Sequence, residues 1–146
     1  VGASIAAEIA TMRVTEQIDA LKTLNTNFYN YLVTPRVIAL VVIMPLLVTF
    51  ADIVGVYGGY LISTLRLGFN ETIYISNTIN FISFEDYFSG IVKSIVFGFI
   101  IALMSCYHGL YTGKGSFGVG SATTNAVVSS SVLILVFNYL LTEVFF

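Results

Sequence analysis

The chain has 146 residues, of which 57% are hydrophobic and 10% are charged, and its formal net charge is −2. A soluble domain carries about 25% charged residues, and a chain of this length cannot hide so much apolar surface in one globular core. The composition therefore predicts a protein embedded in a lipid bilayer, and the lack of a basic block gives no support to nucleic-acid binding. A single cysteine, Cys106, excludes an internal disulfide. Because the chain opens on Val1 without an initiator Met or a signal-peptide pattern, we expect an upstream portion.

Residues 7–25 are predicted to form an amphipathic helix. Val14, Ile18 and Leu21 lie at i, i+4 and i+7 and would form an apolar stripe. The segment also holds five charged residues: Glu8, Arg13, Glu16, Asp19 and Lys22. Arg13 with Glu16, and Asp19 with Lys22, lie at i, i+3 and can form ion pairs along the helix. One interpretation is a helix that rests on the membrane surface. The mixed signs favour a protein partner, because complementary charges set the register of protein interfaces.

Three apolar runs follow, each long enough to cross a hydrocarbon core of about 30 Å as a helix. They cover residues 37–65, 91–112 and 121–142. The predicted fold class is therefore an all-α membrane protein, a single domain over residues 1–146, with three transmembrane helices and the N-terminal amphipathic helix. Residues 66–90 are predicted to form a polar, aromatic and mildly acidic loop.

The distribution of Lys and Arg predicts the orientation. Four basic residues lie on the side of the N-terminal segment and two on the other: Arg13, Lys22, Arg36 and Lys114 against Arg66 and Lys93. We therefore expect residues 7–25 to be cytoplasmic and the loop at 66–90 to be periplasmic.

Small residues recur every three or four positions on two of the spans. The first stripe comprises Ala51, Gly55, Gly59 and Ser63, and the second comprises Ser94, Gly98, Ala102, Ser105, Gly109 and Thr112. Small residues allow helices to approach closely in lipid, where no hydrophobic effect drives them together. The stripes are predicted to face each other or a neighbouring span of the full protein.

The third span carries a polar line that a helix surrounded by lipid would not need. Its heptad-spaced members are Ser121, Thr124, Val128, Ser131, Leu135, Asn138 and Thr142, with Asn125, Ser129 and Ser130 nearby. One interpretation is hydrogen bonding between helices, at about 0.6 kcal/mol per pair. The other is the wall of a cavity for a polar group, with five candidates: Ser121, Thr124, Asn125, Ser131 and Asn138.

Asp52 lies near the middle of the first apolar run, and Pro45 before it is expected to bend that helix. An ionised carboxylate in mid-bilayer costs about 2.5–3.5 kcal/mol on insertion scales, and such residues often belong to ion or proton paths. Protonation, or a partner on a helix outside this chain, would also explain it. Asp52 supports an alternative function as an ion- or proton-coupled secondary transporter.

Several catalytic patterns are absent or incomplete. The string at residues 113–118 matches G-x-G-x-x-G, but it follows a membrane span instead of a strand, and the next acidic residue is Glu143. Cys106 and His108 lack the further ligands that a metal site needs. No nucleophile–base pair is identifiable. The chain is not predicted to be an enzyme.

The motifs resemble the MlaE/YrbE permease family of lipid-transporting ABC systems. The stretches that carry the resemblance are VGASIAAEIATMRVTEQIDAL at residues 1–21, YLVTPR at 31–36 and GSATTNAVVSSSVLIL at 120–135. The match covers essentially the whole chain but only the later part of such a permease. One departure is that Asn27-Phe28 stands where the family often has Asp-Pro, so a contact made by that Asp is in doubt.

The resemblance implies a multi-pass permease of the bacterial inner membrane that works as a homodimer. Its implied partners are a cytoplasmic ATPase pair that binds ATP and Mg, a lipid-binding MCE protein and, in many systems, a STAS-domain protein. This chain itself would hold no cofactor. Its cargo would be phospholipids or related lipids that move between the inner membrane and the outer envelope. By motif match, the ATPase contacts would be Glu8, Arg13, Glu16, Gln17 and Asp19. A structural scaffold without cargo is a third hypothesis.

Overall fold

In the computed structural model, the described residues are 1–25, 27, 29–68, 70–81 and 83–145, with residue 81 described by its backbone alone. Every element within these ranges is helical, which confirms the all-α prediction. The elements are α1 (Gly2–Val14), α2 (Gln17–Thr23), a π-helical turn (Tyr29–Val33), α3 (Thr34–Leu65), α4 (Glu71–Phe81), α5 (Phe84–Leu110) and α6 (Gly115–Phe145).

Three of the helical segments are long and apolar enough to cross a membrane, as predicted: Tyr29–Leu65, Phe84–Leu110 and Gly115–Phe145. The second begins at Phe84 instead of residue 91. Ser83 caps α5 there by accepting a hydrogen bond of 3.2 Å from the Asp86 N–H, and Glu85 and Asp86 occupy its first turn. A side-chain cap and acidic residues stabilise a helix N-terminus without adding hydrophobicity, so the apolar run alone does not reveal this start.

The predicted loop at 66–90 is therefore partly helical. It contains α4 and the first turns of α5. Residues 7–25 are also divided, because α1 ends at Val14 and α2 begins at Gln17. Glu16 between them has φ 65, and its N–H donates to the Arg13 carbonyl oxygen at 3.2 Å. A left-handed residue just beyond the C-cap is a common way to end a helix, although it is usually glycine.

α5 is the central helix of the fold. It packs against α1, α3 and α6, while α1 also packs against α6 and α4 contacts α3. The connection between α5 and α6 is only residues 111–114, so these two helices run antiparallel.

Small residues on α5 produce these close contacts. A Cβ added at Gly98 would lie 2.9 Å from the carbonyl oxygen of Leu40 on α3, and one at Gly109 would lie 2.8 Å from Cβ of Ile9 on α1. The stripe on α5 is thus a packing surface, as predicted. The two stripes do not face each other, however, because a Cβ at Gly55 would have nothing within 4 Å.

Candidate functional site

The first candidate site is the N-terminal pair of helices, where one face of α2 is buried and the other is exposed. Ile18 is 0% exposed and Leu21 packs beside it. Glu16, Gln17 and Asp19 all lie on the exposed side. The apolar stripe predicted from the sequence therefore holds α2 against the protein. Four of the five predicted ATPase contacts are exposed, since Glu8 on α1 is exposed as well.

Ile18 belongs to a core cluster that joins four elements. The cluster comprises Ile9 of α1, Ile18 of α2, Leu32 of the π turn, and Cys106 and Leu110 of α5. Close-packed side chains transmit displacement because interiors have low compressibility. A force applied to α2 would therefore reach the start of α3 and the end of α5.

Glu8, another predicted ATPase contact, forms an ion pair within the chain. Its Oε1 accepts a hydrogen bond from Nη2 of Arg36 at 3.1 Å, and Arg36 also donates from Nη1 to the Leu32 carbonyl oxygen at 2.9 Å. Within the described ranges the structure records no ion pair between Arg13 and Glu16, which the sequence allows. Arg13 is half-buried. Arg36 thus connects α1, the π turn and α3.

The polar line on α6 faces away from the other helices of this chain. All five cavity candidates are exposed: Ser121, Thr124, Asn125, Ser131 and Asn138. The buried face instead carries Gly118, Ala122, Ala126 and Ser130. Hydrogen bonding to neighbouring helices of this chain therefore does not account for these five residues. Among the described residues, Thr124 is recorded bonding its own helix, through the Gly120 carbonyl oxygen at 3.1 Å.

Two polar contacts join α5 to hydroxyls of α6, which agrees with hydrogen bonding between helices at Thr142 and Ser129, although the sequence did not identify their partners. Nζ of Lys93 donates to Oγ1 of Thr142 at 2.7 Å, and Nε2 of His108 lies 3.0 Å from Oγ of Ser129. The sequence does contain a hint of these pairs. Lys93 and His108 lie near opposite ends of one predicted span, and the next span carries hydroxyl side chains toward both of its ends. Pairing them required the antiparallel arrangement of the two helices.

The second candidate site is a groove of about 590 Å³ between α3, α4 and the start of α5. Asp52 lines this groove together with Tyr87, which is in the first turn of α5 and whose hydroxyl lies 2.8 Å from Oγ1 of Thr49. The sequence placed Asp52 near the middle of an apolar run. In the structure it lies close to the polar first turn of α5 and is exposed.

Comparisons with known proteins agree with the resemblance seen in the motifs. The model of the family described as Permease MlaE matches residues 1–144. A probable ABC transporter permease protein of Rickettsia prowazekii is 60% identical over 146 residues, which cover all of this chain and 56% of the relative. A probable ABC transporter permease protein of Synechocystis is 46% identical with the same coverage. The Arabidopsis thaliana protein named Trigalactosyldiacylglycerol 1, chloroplastic, is 39% identical over 145 residues, 99% of this chain and 41% of the relative. The chain spans about half the length of the curated relatives it matches.

Proposed function

Because the chain belongs to the MlaE permease family, we propose that it forms part of a permease subunit of an ABC transporter for phospholipids or related lipids. A separate ATPase chain, which binds ATP and Mg, supplies the energy. The transporter lies in the bacterial inner membrane and moves lipid between that membrane and the outer envelope. The Rickettsia and Synechocystis relatives are named as ABC transporter permeases, and the name of the Arabidopsis relative contains that of a glycolipid.

The observation that carries the proposal is the two-sided environment of α2. Its apolar side enters the cluster that joins α1, the π turn and α5, and its charged side is exposed. Glu16 holds a left-handed conformation that costs a non-glycine residue roughly 1–2 kcal/mol. Such strain often persists at functional positions because the exposed side chain is needed there.

The exposed polar face of α6 is suited to a lipid pathway. Hydroxyl and amide groups on a membrane helix need polar partners, and this chain supplies none to Asn125, Ser131 or Asn138 among the described residues. We place a lipid headgroup cavity on this face, closed by a second permease copy in a homodimer. An MCE protein would receive or deliver the lipid, and a STAS-domain protein is a further expected partner.

The test of the proposal is reconstitution of the full-length protein. The gene would be expressed with its neighbours, and the complex purified and placed in liposomes to measure ATP-dependent lipid transfer to an MCE protein. We expect an ATPase and an MCE protein to co-purify. A permease that never recruits an ATPase would contradict the proposal.

Substitutions in α2 test the coupling role without affecting the membrane core. Glu16→Gly removes the charge and relieves the left-handed strain, while Asp19→Lys reverses an exposed charge. Both variants should insert normally and lose lipid-stimulated ATPase activity. Glu85→Lys, an exposed charge reversal at the opposite end of the molecule, is the control. Undiminished coupling in both α2 variants would refute the assigned contact.

The ion- or proton-coupled alternative is not favoured, because the relatives are named as ABC transporter permeases. The scaffold hypothesis is distinguished by the same reconstitution. A scaffold would assemble with its partners and transfer no lipid.

A further inference from the structure

We infer that the groove between α3 and α4 binds a glycerophospholipid that carries an ammonium headgroup, with the ammonium at Asp52 and hydrocarbon along the apolar walls. The inference deepens the proposed function, since it adds a lipid site outside the polar face of α6. The groove is defined here by the α3 residues Asp52, Ile53 and Val56 and the α4 residues Ile75 and Ile79.

Two polar contacts hold the groove open at a fixed width. At one end, the Tyr87 hydroxyl lies 2.8 Å from Oγ1 of Thr49, which joins α5 to α3. At the other, the Tyr74 hydroxyl donates to the Val56 carbonyl oxygen at 3.1 Å, which joins α4 to α3. Tyr74 can approach this closely because Gly59 has no side chain: a Cβ there would lie 2.7 Å from the Tyr74 hydroxyl oxygen. The groove is therefore a built feature of the fold.

The charge of the lining selects a cation. Among the described residues that line the groove, Asp52 is the one with a charged side chain, and none is Lys or Arg. Among the described residues the structure records no ion pair for Asp52. A carboxylate on an apolar surface is stabilised by an opposite charge that it can hydrogen-bond, so an ammonium is the complementary group.

The remaining lining suits the other parts of a phospholipid. Isoleucine and valine side chains provide hydrocarbon contact, and the Tyr57 hydroxyl can donate to a phosphate or ester oxygen near the headgroup. The hydroxyls of Thr49 and Thr78 already donate to backbone carbonyl oxygens of their own helices, at 2.9 and 2.8 Å. Tyrosines with an apolar ring and a polar tip are typical of the depth at which lipid headgroups lie.

The groove has the size of a ligand site and is open to the side. Its volume of about 590 Å³ falls within the range of roughly 300–1,000 Å³ typical of small-ligand sites. The adjoining face of α3 is also apolar and exposed at Phe50 and Val54, so a lipid can enter sideways from the bilayer.

The inference can be tested by photocrosslinking in the full-length transporter. The protein would be placed in nanodiscs that contain phosphatidylethanolamine with a diazirine in one acyl chain, or phosphatidylglycerol with the same chain. Crosslinks to α3 and α4 peptides would be quantified against those to α5. We expect the ethanolamine lipid to label α3 and α4 preferentially.

Two pairs of variants separate the headgroup contact from the hydrocarbon contact. Asp52→Asn should lower ethanolamine-lipid labelling about tenfold, as expected for loss of a charge-assisted hydrogen bond, and leave the glycerol lipid unchanged. Asp86→Asn, a matched change outside the groove, should have no effect. Val56→Trp should fill the groove and lower labelling by both lipids, whereas Val42→Trp, at an exposed α3 position outside the groove, should not.

Equal labelling by the two lipids in the unmodified protein, or an Asp52→Asn result that equals Asp86→Asn, would overturn the inference. ATP-dependent lipid transfer measured on the same preparations separates this site from the proposed function. Transfer without selective labelling would refute only the groove site, and selective labelling without transfer would refute only the transport function.

Discussion

Replacing Gly98 with alanine tests whether small residues on α5 determine the packing of the membrane helices. The added Cβ would lie 2.9 Å from the Leu40 carbonyl oxygen and 2.8 Å from Cγ of Met44, whereas ordinary contacts of a Cβ lie at 3.4–4 Å. The carbonyl belongs to the backbone of α3, so α3 and α5 must move apart. Overpacking of this kind costs about 1–3 kcal/mol. Alanine regains about 0.5–1 kcal/mol of helix propensity, so the net loss should be about 1–2 kcal/mol.

Gly90 provides a matched control on the same helix, because a Cβ there would have nothing within 4 Å. Gly90→Ala should be neutral or stabilising by up to about 1 kcal/mol. The measurement is the thermal unfolding of the two full-length variants in detergent, followed by fluorescence-detected size-exclusion chromatography. If Gly98→Ala is as stable as Gly90→Ala, α3 and α5 do not pack at Gly98 as described.

Three further predictions concern the contacts of the N-terminal helices and the buried hydroxyl of Ser105. Ile18→Ala should lower the free energy of unfolding by about 2–5 kcal/mol because Ile18 is fully buried. Leu24→Ala, at a residue 74% exposed, should change that free energy little. Equal effects of the two substitutions would contradict the anchoring of α2 by Ile18. Ser105→Ala should leave the free energy of unfolding unchanged or raise it, because the buried Oγ has no hydrogen-bond partner in the described part of the chain. A fall of more than about 1 kcal/mol would show that this hydroxyl does have a partner in the folded protein. A double-mutant cycle on Glu8 and Arg36 should give a coupling of about 0.2–1 kcal/mol that weakens with salt, since Glu8 is largely exposed; a coupling unaffected by salt would exclude a screened ion pair.

The elements of this fold differ in how far the sequence predicts them. The central stretches of α3, α5 and α6 are predictable because a bilayer crossing requires about 20 apolar residues, and this requirement is visible in the sequence. The starts of α5 and α6 are not, because they depend on the Ser83 cap and on Gly115, whose φ is 71. The break in the N-terminal helix also escapes prediction, because Glu16 adopts a conformation that the sequence pattern does not favour.

The sequence also predicts some features of the candidate sites and not others. Residue types identify the charged α2 and the polar line on α6, since charges and amides in an apolar chain are conspicuous. Which of these residues meet each other depends on contacts between distant parts of the chain. Glu8 and Arg36 pair across 28 positions, and the groove at Asp52 exists only where α4 folds back on α3.

The sequence by itself determined that the chain is a helical membrane protein with three spans, because hydrocarbon length and charge placement are local properties of the chain. The tertiary structure decided which face of each helix is buried. The small-residue stripe of α5 packs against α1 and α3, whereas the stripe of α3 has no neighbour within 4 Å at Gly55. The five cavity candidates on α6 are exposed. The physical reason is that small residues only permit close approach, while the partner at each position is selected by the summed packing of whole helices.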